Sequence, residues 1–304
     1  MGQVVRYGFG SILLSLLIIL AIGCQPSFSP GTFTDDIGRP VSIEEPPQRI
    51  VSHVPGITEI LFALGLDSRV VGVSDFCNYP EGAKGKAKVG GFYSPSIENI
   101  VDLTPDMVLT NGEVDKLVTQ LDSLAMAYLV LHPKDVGGIL GNIKLVGAIT
   151  GTEGNAEKVT GDIEKRMSDV ASRVQDALRV KVFYTFATTD LNSPWTAGPG
   201  SFVDSLIALA GGENVGADAK AAWAQFSMEE VVSADPEVII VDAKMGTAVT
   251  SIQEIRQHPI WRGIKAVKQE RIYIIDGDLI NRAGPRIVQG LEEMARMIHP
   301  ELFN

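Results

Sequence analysis

The 304-residue chain is poor in the residues that build most metal and disulfide sites. It has two cysteines, too few for a disulfide framework or a four-cysteine zinc site. Its four histidines are widely separated and form no H-x-x-x-H pair; they are His53, His132, His258 and His299. We therefore expect no metal site and no cofactor.

The chain also lacks an excess of positive charge and the short motifs of several enzyme classes. It carries 26 Lys and Arg against 37 Asp and Glu, a net charge of -11, which disfavours binding to nucleic acid phosphates. No G-x-S-x-G nucleophile elbow, P-loop or G-x-G-x-x-G motif is present. We expect no catalytic residues, and a membrane-tethered enzyme is the remote alternative.

The N-terminus has the features of an export signal. Residues 1–23 hold one charged side chain, Arg6, and an apolar run that is short for a membrane span. The segment Leu20–Cys24 resembles a bacterial lipobox, which predicts a signal peptide over 1–23 and lipidation of Cys24. An uncleaved signal anchor is the alternative. Residues 24–34 begin rich in Pro, Ser and Gly and predict a tether. Cys77 would then have no partner, and we expect it to be buried.

The remainder alternates short apolar runs with helical patterns, which predicts two α/β lobes, each with a mostly parallel sheet. The predicted strands are Ile50–Ser52, Val70–Val73, Met107–Thr110, Tyr128–Leu131, Val180–Ala187, Val238–Val241 and Ile272–Ile275. Between the halves, Glu153–Leu178 has apolar residues at steps of three and four, which predicts one long helix. We expect an N-terminal lobe over 35–150, a connecting helix over 151–178 and a C-terminal lobe over 179–304.

The two halves share a repeat. The segment that starts at Ser96 and contains Glu98 recurs at Ser227 and Glu229, at an offset of 131 with no gap. Each copy predicts an N-cap, a short helix, a proline-containing turn and a buried strand. Duplicated lobes around one helix create a cleft, where small ligands usually bind.

Aromatic residues are scarce, so their positions are informative. Phe92 and Trp223 occupy the same repeat position before the repeated helix, so both could face the cleft or pack onto those helices. Trp195 lies in a Pro- and Gly-rich loop after a predicted strand. Trp261 is expected to be a core residue.

Together these features resemble the substrate-binding proteins of bacterial ABC importers for cobalamin, ferric siderophores or haem. The resemblance spans roughly residues 33–300, and single motifs within it are weak. It rests on Arg49–Ser52, Pro55–Gly65, Val71–Asp75, Tyr79-Pro80, Ser96–Asp106, Gly198–Gly200, Gly211–Asn214 and Ser227–Glu229. It implies two α/β lobes joined by a single long helix, with the ligand between them.

The cobalamin-binding members are the most similar, and they imply roles for individual residues. By this resemblance Phe76, Phe92, Trp195 and Trp223 contact the corrin, and Asp278 and Arg282 bond its amides. Asn111 departs from the pattern, because some cobalamin binders carry Trp there. Aromatic faces suit an apolar macrocycle, and an Asp/Arg pair supplies acceptors and donors to its rim. An ordinary ion pair is the alternative for Asp278 and Arg282.

The same resemblance implies partners and a location. Glu98 and Glu229 would dock onto a permease dimer that works with ATPase subunits. The protein would be a monomer held at the outer face of the cytoplasmic membrane by its lipid alone. Haem or a ferric siderophore is the alternative ligand. Haem would need an axial His or Tyr, for which His53 is the candidate, and a siderophore would need several Arg or Tyr.

Overall fold

The computed structural model describes residues 1–2, 28–113, 115–186, 190–243 and 252–303. Within these ranges the chain forms two α/β lobes and a long helix. The N-terminal lobe has strands β1 (Gly31–Thr34), β2 (Pro40–Ile43), β3 (Ile50–Ser52), β4 (Val70–Val73), β5 (Ala87–Lys88), β6 (Met107–Thr110) and β7 (Tyr128–Val130). Its helices are α1 (Pro55–Ala63), α2 (Glu81–Lys84), α3 (Ile97–Asp102), α4 (Asp115–Ser123) and α5 (Val136–Thr150). A short 3-10 helix covers Asp67–Arg69.

The long helix is α6 (Glu153–Val174), and the C-terminal lobe follows it. The strands of that lobe are β8 (Val180–Phe186), β9 (Trp195–Ala197), β10 (Gly212–Asn214), β11 (Trp223–Gln225), β12 (Val238–Ala243) and β13 (Ile272–Asp276). Its helices are α7 (Phe202–Leu209), α8 (Met228–Ala234), α9 (Ile252–Gln257), α10 (Lys265–Lys268), α11 (Gly277–Ile280) and α12 (Ile287–Ile298). Short 3-10 helices cover Val215–Asp218, Trp261–Gly263 and Pro300–Leu302.

The two main sheets have matching strand orders. In the N-terminal lobe the order is β5-β4-β3-β6-β7, and in the C-terminal lobe it is β10-β8-β12-β13, with parallel pairing in both. The order β4-β3-β6-β7 therefore corresponds to β10-β8-β12-β13. The predicted fold class, two lobes with parallel sheets joined by a long helix, is confirmed.

The predicted strands coincide closely with the observed ones, because each is a mostly apolar run; β3, β6 and β7 are buried on both faces. β3, β4 and β6 have the predicted bounds, while β7 ends one residue early and β12 and β13 extend further. β8 is described to Phe186, and the predicted end at residue 187 lies outside the described residues.

Helix α6 packs on both lobes, as its apolar stripe predicts. Gly151, in the left-handed conformation with φ 71°, ends α5 and lets the chain reverse into α6. Gly147 on α5 allows close packing, since a Cβ there would come within 2.5 Å of the Ala156 side chain on α6. On the other lobe, Arg166 of α6 binds both carboxylate oxygens of Glu292 on α12, each at 2.9 Å. The helix ends at Val174, four residues before the predicted end.

The hydrophobic core continues from one lobe through α6 into the other. Ile60 of α1, Ile163 of α6 and Leu291 of α12 belong to the same buried cluster. A second cluster in the C-terminal lobe surrounds Trp261, which is fully buried and donates its Nε1 hydrogen bond to the Leu191 carbonyl at 2.9 Å. The core role predicted for Trp261 is confirmed.

The predicted tether is too long by at least four residues. Gly31–Thr34 forms β1, which pairs antiparallel with β2. The backbone N–H of Asp36 donates to the Val130 carbonyl of β7, and its carboxylate accepts from the Asn142 side chain at 2.8 Å. The β1–β2 pairing makes Gly31–Thr34 a strand, and the bonds of Asp36 attach the turn of this hairpin to the N-terminal lobe; composition could reveal neither.

Candidate functional site

The cleft between the lobes lies where the strands of both sheets end. In the N-terminal lobe, the residues after β3, β4, β6 and β7 line it, and in the C-terminal lobe those after β13 and at the start of α7 do so. Ligands of parallel α/β sheets bind beyond the carboxyl ends of the strands, where loops and helix starts converge. The repeated topology therefore places two such loop clusters face to face.

Two adjoining cavities form this cleft, of about 410 and 490 Å³. They share five lining residues: Glu113, His132, Pro133, Phe202 and Asn281. Cavities that hold small molecules typically measure about 300–1,000 Å³ and are mostly apolar with a few polar groups. The interlobe cleft has the size and lining expected of such a site.

Aromatic side chains form the N-terminal wall of the cleft. Phe76, 58% exposed, Phe92 and Tyr93 all line the first cavity. The Phe92 ring stacks on the His53 ring, with centroids 5.7 Å apart and planes 10° apart, and meets the Tyr93 ring edge-on at 4.7 Å. These contacts fix the Phe92 ring between a buried histidine and the cleft.

A second aromatic group lies on the C-terminal wall. Trp223, 37% exposed, lines the second cavity with Phe186, and their ring centroids are 4.9 Å apart. Phe92 and Trp223, which share a repeat position, thus both line the cleft. Trp195 pairs with Gln225, and Trp223 pairs with Ala197, so both tryptophans project from the same face of the β9–β11 ribbon. Trp195 is 45% exposed and lines neither cavity as the described residues outline them.

Asp278 and Arg282 line the first cavity and also form an ion pair with each other. The Arg282 Nη2 lies 2.7 Å from the Asp278 Oδ2. Arg282 Nη1 donates to Glu59 Oε1 at 3.2 Å and to Asn78 Oδ1 at 2.9 Å, so this guanidinium joins the two lobes. Asp278 and Arg282 thus line the cavity and form an ion pair at the same time, so the two alternatives do not exclude each other. Their predicted contact with ligand amides stays a prediction.

Arg286 makes the stronger interlobe bond. Its Nε and Nη2 bind the two oxygens of Glu59 at 2.8 and 2.6 Å, and its guanidinium carbon lies 4.0 Å from the Tyr79 ring centroid. The hydrogen bonds that Arg286 donates to Glu59 raise the pKa of Arg286 further above its ordinary value. Beside this pair the backbones nearly touch, since a Cβ on Gly56 would lie 2.6 Å from the Ala283 carbonyl oxygen.

A buried carboxylate supports the C-terminal wall. Asp242, at the end of β12, accepts hydrogen bonds from the Tyr184 hydroxyl at 2.8 Å and the Asn281 amide at 2.5 Å. Burial, followed by the negative charge of Asp242, raises the pKa of Tyr184 well above its ordinary value, so this phenol stays protonated. The bond holds the Asn281 side chain at the boundary between the two cavities.

Glu98 and Glu229 lie outside the cleft. Each is exposed in the first turn of its helix, Glu98 on α3 and Glu229 on α8. Both helices begin at a serine N-cap, and Ser227 also forms a capping box with Glu230. A carboxylate is favoured at this place by the helix dipole. Their predicted role in docking stays a prediction.

His53, the candidate axial ligand of a haem, does not line the cleft. His53 is fully buried behind Phe92, with Nδ1 3.2 Å from the Thr110 hydroxyl. Burial lowers the pKa of His53 below its ordinary value. The histidine that lines the cleft is His132, which follows β7, and Tyr93 lines it as well.

Of the cysteines, Cys77 is buried as predicted, with its Sγ 3.1 Å from the Thr58 hydroxyl and 3.2 Å from that of Ser74. Cys24 and nearly all of the predicted signal peptide lie outside the described residues. Among the described residues, no helix combines the length and apolar character that crossing a bilayer requires.

Comparison with known families agrees with this architecture. The family described as periplasmic binding protein matches residues 50–279, a range that includes most of both lobes and all of α6. The chain belongs to the periplasmic binding protein family. Members of this family bind substrates rather than transform them, so the resemblance stated from the sequence and the expectation of a non-enzymatic protein are confirmed.

Relatives of this periplasmic binding protein include one that matches over nearly the whole length of both chains. The "uncharacterized ABC transporter substrate-binding lipoprotein YvrC" of Bacillus subtilis is 28% identical, over 98% of each chain. The "cobalamin-binding protein" of Halobacterium salinarum is 28% identical over 89% of this chain and 74% of its own. The apo structure of the haem-binding protein RhuT from Roseiflexus superimposes with a TM-score of 0.74 and 27% identity, covering 84% of this chain and 99% of its own.

Several cleft residues of this periplasmic binding protein were not predicted from the sequence: Tyr93, Glu113, His132, Phe186, Phe202 and Asn281. Most lie just after a strand or at a helix start, so the parallel-sheet pattern could have identified them. Glu59 was missed for another reason, because its partners Arg282 and Arg286 are more than 220 residues away in the chain.

Proposed function

We propose that the protein captures a corrinoid, cobalamin or a close relative, and delivers it to the permease of an ABC importer. The observation that carries this proposal is the pair of aromatic walls, around Phe92 and Trp223, in one interlobe cleft. A corrin is a broad, largely apolar macrocycle, and aromatic rings offer flat apolar surface of matching shape. The cobalamin-binding relative supports this assignment.

The polar groups of the cleft suit the amides on the rim of such a ligand. Asp278 offers carboxylate acceptors, Arg282 offers donors, and Asn281 offers an amide that Asp242 holds in place. Amides both donate and accept hydrogen bonds, so they can bond to the acceptors of Asp278, to the donors of Arg282 and to the neutral amide of Asn281.

The charges of the cleft also favour a neutral ligand. The guanidinium of Arg282 is bound to the carboxylates of Glu59 and Asp278, and that of Arg286 is bound to Glu59. Lys134 and Glu113 both line the second cavity, so it presents a cationic and an anionic side chain. An anionic siderophore or the propionates of haem would compete with Glu59 and Asp278 for Arg282, at a cost in free energy.

Haem is the second candidate, because His132 and Tyr93 both line the first cavity and are possible axial ligands. The Roseiflexus haem-binding structure has the same fold and supports keeping this candidate. A ferric siderophore is less well supported, since Arg282, the arginine that lines the cleft among the described residues, is engaged by the carboxylates of Glu59 and Asp278.

The proposed setting is the outer face of the cytoplasmic membrane, with the lipidated Cys24 as the only anchor. The Bacillus subtilis relative, named a lipoprotein, supports this proposal, as does the lipobox-like segment before Cys24. The proposed partners are a permease dimer and its ATPase subunits, with the binding protein acting as a monomer that docks through Glu98 and Glu229.

Calorimetric titration with four ligands tests the proposed function. The chain starting at residue 24, with Cys24→Ser, is titrated with cyanocobalamin, cobinamide, haemin and a ferric hydroxamate. We expect saturable binding of the two corrinoids and at most weak binding of the others. Haem would replace the corrinoid as the assigned ligand if two results were obtained together. Haemin would have to bind more tightly than the corrinoids, and this binding would have to be lost in His132→Ala or Tyr93→Phe.

A further inference from the structure

Two exposed valines occupy the same repeat position on the helices that carry Glu98 and Glu229. Val101 on α3 and Val232 on α8 are each 42% exposed, and they are separated by the repeat offset of 131 residues. Exposed apolar side chains scattered singly over a surface are ordinary and need no explanation. The same residue type, equally exposed at matching places in both lobes, is a more specific observation.

The two helices are equivalent in their surroundings as well as in their sequence. Ile100 on α3 and Val231 on α8 are fully buried, so each helix turns the same face to its lobe. Thr104 and Asp235, one repeat apart, have φ of 45° and 46°, so the backbone takes the left-handed conformation at the same repeat position after each helix. The residues on the outer faces therefore occupy equivalent places on the two lobes.

On each helix the valine lies three residues after the glutamate. Residues three apart in a helix are neighbours on one face, so Glu98 lies beside Val101 and Glu229 beside Val232. All four side chains are exposed, which leaves an acidic group and an apolar group together on each lobe.

We propose that Val101 and Val232 are docking residues, each forming with its glutamate a composite contact to one subunit of a two-fold symmetric permease. The identity of the partner, the permease of an ABC importer, rests on the proposed function. Each subunit would present a cationic side chain beside an apolar surface that covers the valine. The pair of equivalent patches matches a two-fold symmetric partner, because each lobe meets an equivalent subunit. Charged groups mainly govern encounter and salt dependence, while buried apolar contacts slow dissociation.

The test measures docking without requiring any ligand. The chain starting at residue 24, with Cys24→Ser, is labelled. Its binding is measured to right-side-out membrane vesicles of the source organism and to protein-free vesicles of the same lipids. The double variant Val101→Ser with Val232→Ser should bind the native vesicles about tenfold more weakly, equivalent to about 1.4 kcal/mol. The matched control is Leu124→Ser with Leu178→Ser, which removes two exposed leucines outside the repeat and should bind like wild type.

The salt dependence of docking, measured in two double variants, distinguishes the contribution of the valines from that of the glutamate charges. The valine variant should retain the salt dependence of wild-type docking, whereas Glu98→Gln with Glu229→Gln should lose most of it. Melting temperature must be unchanged for the comparison. If the serine double variant has a lower melting temperature, the double variant Val101→Thr with Val232→Thr is used in its place, because threonine keeps the shape of valine. Its docking should also be weaker than that of wild type.

Equal docking by wild type and the valine variant would overturn the inference, and so would wild-type binding that is no stronger to native than to protein-free vesicles. Failure of the proposed ligand gives a different result. A chain that docks through the valines but binds no corrinoid in calorimetry would refute the corrinoid assignment and leave the docking surface supported.

Discussion

The buried carboxylate of Glu59 on α1 binds the guanidinium of Arg286 through two hydrogen bonds, of 2.8 and 2.6 Å, across the interface between the lobes. Arg282 adds a third bond to the same carboxylate at 3.2 Å. The lobes are thus joined directly beside the ligand cleft as well as through α6. Stability and cleft geometry should therefore depend on the same few side chains.

Glu59→Gln should destabilise the protein by about 3–5 kcal/mol, because removing one partner leaves a largely buried arginine charge uncompensated. Chemical denaturation measures the free energy of unfolding. Asp169→Asn is the control, since it breaks the exposed Lys165–Asp169 ion pair on α6 and should cost no more than about 1 kcal/mol. Equal effects of the two substitutions would contradict the interlobe role of Glu59.

Ligand binding should change the overall shape of the protein very little. The single helical connection, the Glu59–Arg286 pair and the close contact of Gly56 with Ala283 all resist hinge motion. Small-angle scattering of the free and corrinoid-saturated protein measures this directly. The two radii of gyration should agree within error, and a large decrease on binding would show that the lobes close.

Trp223→Ala should weaken corrinoid binding by about 1–3 kcal/mol, the effect of removing a central aromatic anchor. Trp195→Ala should have a smaller effect, because Trp195 lies outside the two cavities. Corrins absorb where tryptophan emits, so binding should also quench the fluorescence, with less quenching in Trp223→Phe. Unchanged affinity in both alanine variants would assign the two tryptophans to packing alone.

Glu98→Arg combined with Glu229→Arg should abolish uptake, since it reverses the charge of both proposed docking helices. Corrinoid affinity and melting temperature should hardly change, because both residues are exposed outside the cleft. Uptake of labelled cyanocobalamin by cells that lack the wild-type gene measures the effect. Normal uptake would refute docking through these residues, and loss of corrinoid binding would mean that they act at the cleft.

Acid should destabilise the protein through His53. Its folded pKa is lowered by burial from the ordinary 6.5, so below pH 6.5 the unfolded chain takes up a proton that the folded chain does not. The free energy of unfolding then falls as the pH falls from 6.5 towards the folded pKa, by at most about 1.4 kcal/mol per pH unit.

His53→Gln should remove this part of the acid sensitivity, which denaturation at pH 7.5 and 5.5 would reveal as a smaller loss of stability than in wild type. His132→Gln is the control, because His132 is 42% exposed in its side chain. Identical losses in wild type and His53→Gln would contradict the account of a buried neutral imidazole.

The sequence predicted the strands and the long helix well because their signals are local. Apolar runs such as Met107–Thr110 are buried on both faces, and the stripe on α6 follows one helical period. The repeat similarly placed Ser96 and Ser227 as N-caps, a role that depends on only four consecutive residues.

The interlobe contacts could not be predicted, because they depend on how two separately patterned lobes are oriented. Nothing around Glu59 indicates that it meets Arg286, and nothing around His53 indicates that Phe92 covers it. The β1–β2 hairpin was missed for a related reason, since Asp36 in its turn is bonded to β7 and α5, which lie far away in the sequence. Aromatic placement was more predictable, because Phe92 and Trp223 share a repeat position and lie on opposite walls of the cleft.

A crystal structure of the protein with saturating cyanocobalamin would show directly whether the interlobe cleft binds a corrinoid. We expect the corrin ring to lie between Phe92 and Trp223, with its side-chain amides within hydrogen-bonding distance of Asp278, Arg282 or Asn281. An empty cleft at saturating cobalamin, or a corrinoid bound elsewhere on the surface, would contradict this expectation.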